Sequence, residues 1–220
     1  VAYGQLIPKE YLKLSKNGFI NIHASLLPKW RGAAPIERSL MNQDNKTGIS
    51  IMKIVEKLDA GPIMKKEVIS IEENMNSFDL RNKLASLSSE IILDCIDDIE
   101  KGNAIFKEQN EQEATYAKKI NKTEGQIKWK DSANKIISKI NSLYPSPGAW
   151  FIYMGERYKI LKAVISDSQG KIGEVLDDNL IISCGDKSIK ILEIQRQGKN
   201  IQKINEFILG SKIKKGNLLI

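Results

Sequence analysis

Two polar side chains, one suited to proton transfer and one to donating a hydrogen bond, stand two residues apart near the start of the chain. Asn21 and His23 open the stretch 21–32, NIHASLLPKWRG, and His23 is the only histidine among 220 residues. If this stretch begins as a strand, both side chains leave the same face. An imidazole moves protons near neutral pH, and an amide donates a hydrogen bond without a change of charge. Taken alone, such a pair is more often structural, but at the end of a strand it marks a candidate site.

The elements that follow place further groups near His23. The loop after the strand leads to Gly32 and to a helix predicted over 33–41, whose free backbone N–H groups favour an anion or a carbonyl oxygen. A second strand, predicted over 47–55, ends in EKLDAGP, with Asp59 on the loop. A carboxylate in that place is able to point back at His23. The alternative is that Asp59 only caps backbone N–H groups of its own turn.

The remaining pattern predicts two kinds of architecture. In the first half, strands alternate with helices, which indicates an α/β sheet. In the second half, a helix is followed by short β-rich runs with glycines at the turns, which indicates a small β-barrel. The further predicted helices cover 8–16, 77–101, 131–143 and 204–209. The further predicted strands cover 19–23, 62–71, 149–154, 158–166, 172–176, 180–184 and 189–194.

Charge is distributed unevenly along the chain. Residues 1–105 contain 14 Lys and Arg against 14 Asp and Glu, whereas residues 106–220 contain 20 against 13. The whole excess of +7 therefore lies in the second half. The asymmetry predicts two domains, of which the second meets a polyanion such as RNA. The alternative is a lysine-rich, solvated surface without a partner. A stretch with few apolar residues, 105–123, predicts a surface linker between a first domain over 1–104 and a C-terminal domain over 124–220.

Other features narrow the class of protein. No apolar run reaches the roughly 18 residues that a membrane span requires. Cys95 and Cys184 fit no metal or redox spacing, which predicts buried, reduced thiols in a cytoplasmic protein. The chain begins Val1-Ala2-Tyr3-Gly4, a pattern typical of the end of a buried strand. We expect that strand to be central in a parallel sheet and the chain to be a fragment of a longer protein.

The combination of motifs resembles the folate-dependent formyltransferases. NIHASLLPKWRGAAPI, followed by TGISIM and LDAGP, carries the resemblance in the first half, and TYAKKI, GQIKW and PSPGAW continue it in the second. The run WRGAAPI is most similar to members that act on methionyl-tRNA. Essentially the whole chain is covered. The resemblance implies an α/β fold, with a partial Rossmann-like formyltransferase domain that lacks its N-terminal strands, followed by a small OB-like β-barrel.

The resemblance also implies a reaction and its residues. The formyl group of 10-formyltetrahydrofolate would pass to the α-amino group of methionyl-initiator tRNA, without a metal. Asn21, His23 and Asp59 would be catalytic, with either His23 or Asp59 as the base. The residues that would contact folate are Ala2, Tyr3, Gly4, Ser25, Leu26, Leu27 and Pro28.

The basic second half is expected to bind the tRNA. The contributing lysines would be Lys118, Lys119, Lys122, Lys128, Lys212, Lys214 and Lys215. We expect a monomer in the cytoplasm, with no membrane partner. Two alternatives stay open: a formyltransferase that acts on a sugar nucleotide or another small amine, and an RNA-binding protein whose catalytic domain is inactive. An intact Asn21, His23 and Asp59 argues against the second of these.

Overall fold

The computed structural model describes residues 7–219, and these fall into two compact units. The first unit contains the described residues up to 39, together with 44–72 and 79–119. The second contains 40–43, 73–78 and the residues from 120 onward. Ala2, Tyr3 and Gly4, which the sequence assigns to folate binding, lie outside the described residues.

The chain up to residue 119 alternates short strands with helices. Its strands are β1 Ile20–His23, β2 Arg31–Gly32, β3 Lys46–Lys53, β4 Ile63–Ser70 and β5 Tyr116–Ala117. Its α-helices are α1 Lys9–Leu12, α2 Pro35–Met41 and α3 Ser77–Glu100. The α/β architecture predicted for this half is confirmed. Cys95 on α3 is buried and free, as predicted.

A three-stranded sheet organises the first unit in the order β1-β3-β4. The central strand β3 is buried along nearly its whole length, and its two neighbours pair with both of its edges. Gly48 is required on β3, since a Cβ atom there would lie 1.9 Å from the carbonyl oxygen of Glu67 on β4. Both pairings are antiparallel. The strand expected at residues 1–4, on which the expectation of a parallel sheet rests, lies outside the described residues. The nine residues 54–62 contain no helix, and so short a connection reverses the chain instead of crossing over.

The second unit is built around a β-sheet of five strands. Its strands are β6 Ala149–Tyr153, β7 Glu156–Ser166, β8 Ile181–Ser183, β9 Ser188–Arg196 and β10 Ile201–Lys203. They pair in the order β10-β9-β7-β6, with β8 also on β9. The helices α4 Ala133–Ser142 and α5 Ile204–Gly210 accompany the sheet. The apolar stripe of α4, with Ile136 and Ile140, lies in the core with Phe151 and Tyr158. The small β domain predicted from sequence is confirmed.

Several predicted elements differ from the structure. The helix expected over 8–16 is the single turn α1, because residues after it form a turn that ends at Gly18. The strand expected over 172–176 makes only isolated bridges, because Gly173 adopts φ 80° and turns the chain. The strands β2, β5 and β10 are missing from the sequence prediction, since two or three residues are too few to show a period of two.

The predicted linker over 105–123 is bonded to the first unit through much of its length. Lys107 exchanges two backbone hydrogen bonds with Ile63, of 2.8 and 2.9 Å. Lys53 lies over the ring of Phe106, 4.3 Å from its centroid. Further along, β5 pairs in parallel with β2. These contacts make the segment part of the framework around the loop that carries Asp59.

None of the helices described between residues 7 and 219 has both the length and the apolar character of a membrane span.

Candidate active site

His23 ends strand β1 and is held by the loop that follows. Its ring is 6% exposed and its backbone pairs with Ser50 on β3. The ring atom Nε2 lies 2.8 Å from the carbonyl oxygen of Trp30, a residue with φ 62°. A carbonyl oxygen only accepts, so Nε2 carries a hydrogen in this arrangement. The other ring nitrogen, Nδ1, is left to face Asp59.

Asp59 lies on the connection between β3 and β4 and is close to the histidine. Its Oδ2 atom is 3.6 Å from Nδ1 of His23, and its side chain is 17% exposed. The same oxygen accepts a hydrogen bond of 2.8 Å from the backbone N–H of Gly32. The carboxylate therefore occupies the region before α2 where the sequence predicts an anion. Its backbone adopts φ 48°, which is uncommon for a residue with a side chain.

Asn21 lies on β1 two residues before His23, opposite Met52 on β3. The alternation of a strand puts the two side chains on one face. Asn21 is half-buried. Among residues 7–219 the structure shows no hydrogen bond to its side-chain amide. The structure thus brings together the three residues that the sequence assigns to catalysis.

The loop after β1 is hydrogen-bonded to the side chain of Ser50 on β3. The Ser50 hydroxyl donates to the carbonyl oxygen of Ser25 at 2.8 Å and accepts from the backbone N–H of Leu27 at 3.0 Å. The Ser25 hydroxyl donates in turn to the carbonyl oxygen of Lys29 at 2.5 Å. Ser25 is fully buried, so its hydroxyl shapes the loop.

The apolar residues of this loop divide into two kinds. Leu27 is fully buried and packs with Met52 and Ile63. Leu26 and Pro28 keep part of their surface exposed. Two of the four loop residues assigned to folate therefore offer side-chain surface to a ligand.

Arg31 is a buried charge that the sequence prediction does not single out. Its side chain is 0% exposed and donates to the carboxylate of Glu111 at 3.2 and 2.9 Å. Lys57 also donates to this carboxylate. The hydrogen bonds from Arg31 and Lys57 lower the pKa of Glu111 to about 2. The arginine belongs to the WRG motif, but nothing in the motif indicates a partner 80 residues away.

Arg31 has a second partner that sequence analysis also misses, Gln109. The side-chain oxygen of Gln109 accepts from Nε and Nη2 of Arg31 at 3.1 and 2.8 Å. Its amide nitrogen donates to the backbone carbonyl oxygens of Asp59 and Gly61 at 2.9 and 2.8 Å. Polar residues in the predicted linker give no pattern that distinguishes Gln109 from its neighbours.

The lysines predicted to bind RNA all have exposed side chains. Lys118 and Lys119 directly follow β5 in the first unit. The others belong to the second unit and are Lys122, Lys128, Lys212, Lys214 and Lys215. In the described part of the chain, no group of three or more His, Cys, Asp or Glu side chains is arranged to hold a metal ion.

Known proteins match both halves of the chain. Residues 1–96 match the family described as "Formyl transferase", and residues 119–212 match "Formyl transferase, C-terminal domain". The chain is 61% identical over 218 residues to the methionyl-tRNA formyltransferase of Pelagibacter ubique (strain HTCC1062). The alignment covers 99% of this chain and 70% of that protein. It is 40% identical over 222 residues to the methionyl-tRNA formyltransferase of Caldanaerobacter subterraneus subsp. tengcongensis, with 99% and 72% covered.

A solved structure has a similar fold. It is described as WlaRD, a sugar 3N-formyl transferase in the presence of dTDP and 5-N-formyl-THF. It aligns with a TM-score of 0.72 at 23% identity and covers 89% of this chain and 70% of its own.

Proposed function

Because this chain belongs to the formyl transferase family, we propose that it transfers the formyl group of 10-formyltetrahydrofolate to the α-amino group of methionyl-initiator tRNA. The identity of 61% to a methionyl-tRNA formyltransferase over 99% of the chain carries the choice of substrate. The local geometry supports the chemistry, since His23, Asp59 and Asn21 stand together on β1 and the loop after β3.

The reaction forms one bond and breaks another. The amine nitrogen of methionine attacks the formyl carbon, and the formyl oxygen becomes an oxyanion. When that tetrahedral intermediate collapses, the bond from the carbon to the folate nitrogen breaks, and the nitrogen takes up a proton as tetrahydrofolate leaves. In this scheme the Asn21 amide donates a hydrogen bond to the oxyanion, a role that needs a group fixed before the reaction starts.

The attacking amine must also lose a proton, and in this scheme His23 and Asp59 receive it. Nε2 of His23 is committed to the carbonyl oxygen of Trp30, so Nδ1 is the nitrogen with a free lone pair. A proton on Nδ1 faces the Asp59 carboxylate, which stabilises the resulting imidazolium. The separation of 3.6 Å shortens to a hydrogen bond when that proton is present. The two side chains thus act together as the acceptor.

Folate is assigned to the loop after β1. Leu26 and Pro28 would contact it with their exposed surface, whereas Ser25 and Leu27 hold the loop in shape. Ala2, Tyr3 and Gly4 would contribute backbone contacts. Backbone groups and half-buried apolar side chains suit a flat, polar-edged ring such as a pteridine.

The second half is assigned to the tRNA. A catalytic domain over 1–104, a linker over 105–123 and a tRNA-binding domain over 124–220 account for the position of the positive charge. The exposed lysines would contact phosphates, which position the RNA without reading its sequence. The protein would act as a monomer in the cytoplasm.

The assignment is tested by offering two amines to the same enzyme. Formyl transfer from 10-formyltetrahydrofolate is measured with methionyl-initiator tRNA and, in parallel, with a dTDP-linked amino sugar. We expect N-formylmethionyl-tRNA from the first and no product from the second. Transfer to the sugar alone would identify a sugar-nucleotide enzyme, and tRNA binding without transfer to either amine would identify an inactive RNA-binding protein.

A further inference from the structure

Arg31 is a buried cation near the candidate site. The guanidinium of Arg31 is removed from water, and desolvating a charge is costly unless hydrogen bonds replace the lost solvent. It donates two hydrogen bonds to the carboxylate of Glu111 and two to the side-chain oxygen of Gln109. Glu111 neutralises the charge. Gln109 contributes no charge, and its oxygen accepts from the donors Nε and Nη2 of the guanidinium.

The bonds to Gln109 fix which way its amide points. A guanidinium has donors and no acceptor, so the oxygen of Gln109 must face Arg31. The amide nitrogen must then face the opposite side, where it donates to the carbonyl oxygens of Asp59 and Gly61. Arg31 therefore orients Gln109, and Gln109 hydrogen-bonds to the backbone on both sides of Ala60.

The loop to which Gln109 donates contains a residue in an unfavourable backbone conformation. Asp59 adopts φ 48°, a region that costs a residue with a side chain of order 1–3 kcal/mol and persists only where surrounding structure imposes it. Its carbonyl oxygen is held by Gln109, and its carboxylate is held by the N–H of Gly32, the residue next to Arg31.

The segment 31–32 is in turn fixed against β5. It pairs in parallel with β5, and a Cβ atom on Gly32 would lie 2.9 Å from the carbonyl oxygen of Ala117. Gly32 also has φ 115°, so a side chain is disfavoured there on two counts. The backbone carbonyl of Asp59 is therefore held by Gln109, which Arg31 orients, and its carboxylate is held by the backbone N–H of Gly32.

We propose that Gln109, oriented by Arg31, is a positioning residue that aims the Asp59 carboxylate at Nδ1 of His23. The inference rests on the proposed function, in which this pair receives the proton of the amine. A displacement of about 1 Å is enough to cost about 10²-fold in rate, so a grip on the loop backbone has a catalytic consequence. Gln109 touches neither substrate in this scheme and acts through Asp59.

The test is a double-mutant cycle between Gln109→Leu and Asp59→Asn, with formyl transfer as the readout. Leucine is an apolar side chain that removes both the acceptor and the donor. We expect Gln109→Leu to lower kcat about 10–100-fold and to leave KM for both substrates within about twofold. In the Asp59→Asn background the same change should cost less than about twofold, because a residue that acts only through Asp59 has nothing left to position.

A matched control lies in the same segment. Gln112 is exposed, and Gln112→Leu should leave kcat unchanged. If Gln109→Leu does not fold, Gln109→Glu replaces it, because a carboxylate still accepts from Arg31 but donates nothing to the two carbonyl oxygens. Equal losses in both Asp59 backgrounds, a change in KM alone, or a loss below twofold would overturn the proposal.

A second readout does not depend on activity. The chain has one histidine, so the ring nitrogen resonances of His23 are assigned without ambiguity in ¹⁵N-labelled protein. We expect Gln109→Leu and Asp59→Asn to shift the Nδ1 resonance in the same direction, with the Gln112→Leu spectrum unchanged. An unaltered Nδ1 resonance in Gln109→Leu would reject the positioning role even if the proposed substrate were wrong. An enzyme that shows the shift but formylates no methionyl-tRNA would reject only the proposed function.

Discussion

Removal of the Asp59 charge gives the most direct measure of the candidate acid–base pair. Two unit charges 3.6 Å apart attract by about 4–5 kcal/mol at an effective dielectric constant of about 20. Burial of both groups opposes this attraction, and a net contribution of about half corresponds to roughly 30–60-fold in rate. Asp59→Asn keeps an oxygen for the N–H of Gly32, so the loop retains that hydrogen bond while the charge is lost. We expect kcat to fall by about that factor, with both KM values nearly unchanged.

The assay is formyl transfer to methionyl-initiator tRNA at saturating folate, supplemented by single-turnover kinetics so that product release does not mask the chemical step. Asp94→Asn is the matched control, since Asp94 is exposed on α3 and the change removes the same charge from the protein. The thermal midpoint of each variant shows whether folding is intact. An Asp59→Asn enzyme that is folded and turns over within about twofold of the unmodified chain would refute the electrostatic role.

Four further outcomes follow from the same geometry and charges. His23→Ala should lower the rate of formyl transfer by about 10²–10⁴-fold in a folded protein, and unchanged turnover would remove the histidine from the reaction. Asn21→Asp should cost roughly 10²-fold or more, because an acceptor replaces the oxyanion donor; equal activity in single-turnover kinetics would contradict that role. Glu111 has its pKa lowered to about 2, so its stabilising contribution is complete above about pH 5 and is lost as pH falls toward 2. Thermal melts of Glu111→Gln should therefore show a smaller loss of stability over this range, and a slope equal to that of the unmodified chain would argue against it. Affinity for tRNA should fall steeply with salt, and replacing two C-terminal lysines by glutamine should reduce the log–log slope by about one to two; a flat salt dependence would indicate a merely solvated surface.

The parts of the site that sequence predicts are those with a local pattern. A strand alternates its side chains, so Asn21 and His23 are assigned to one face from spacing alone. Asp59 follows a strand of β-branched residues, which indicates a loop at the end of that strand. The long helix α3 repeats apolar residues with helical spacing, and the structure gives it as Ser77–Glu100. Each of these features is decided by neighbours within a few residues.

The parts that sequence misses depend on partners far along the chain. Charged side chains are almost never fully buried, so the default prediction places Arg31 at the surface. Its burial depends on Gln109 and Glu111, which lie 78 and 80 residues away. A segment rich in Gln, Glu and Asn has the composition of a linker, and composition carries no sign that one of its amides faces a particular guanidinium. The strands β2 and β5, which fix this arrangement, are too short for any periodic pattern.

Whether residues 105–119 are a flexible tether or a structured segment determines how changes in them affect the proposed reaction. A tether would tolerate substitutions and insertions, because only its length would matter. Here Lys107 pairs with Ile63 just after the Asp59 loop, and Gln109 holds that loop at two carbonyl oxygens. An insertion between these two positions would shift Gln109 while leaving the strand pairing of Lys107 in place. The segment therefore belongs to the framework of the candidate site, and its sequence is constrained by the position of the Asp59 carboxylate.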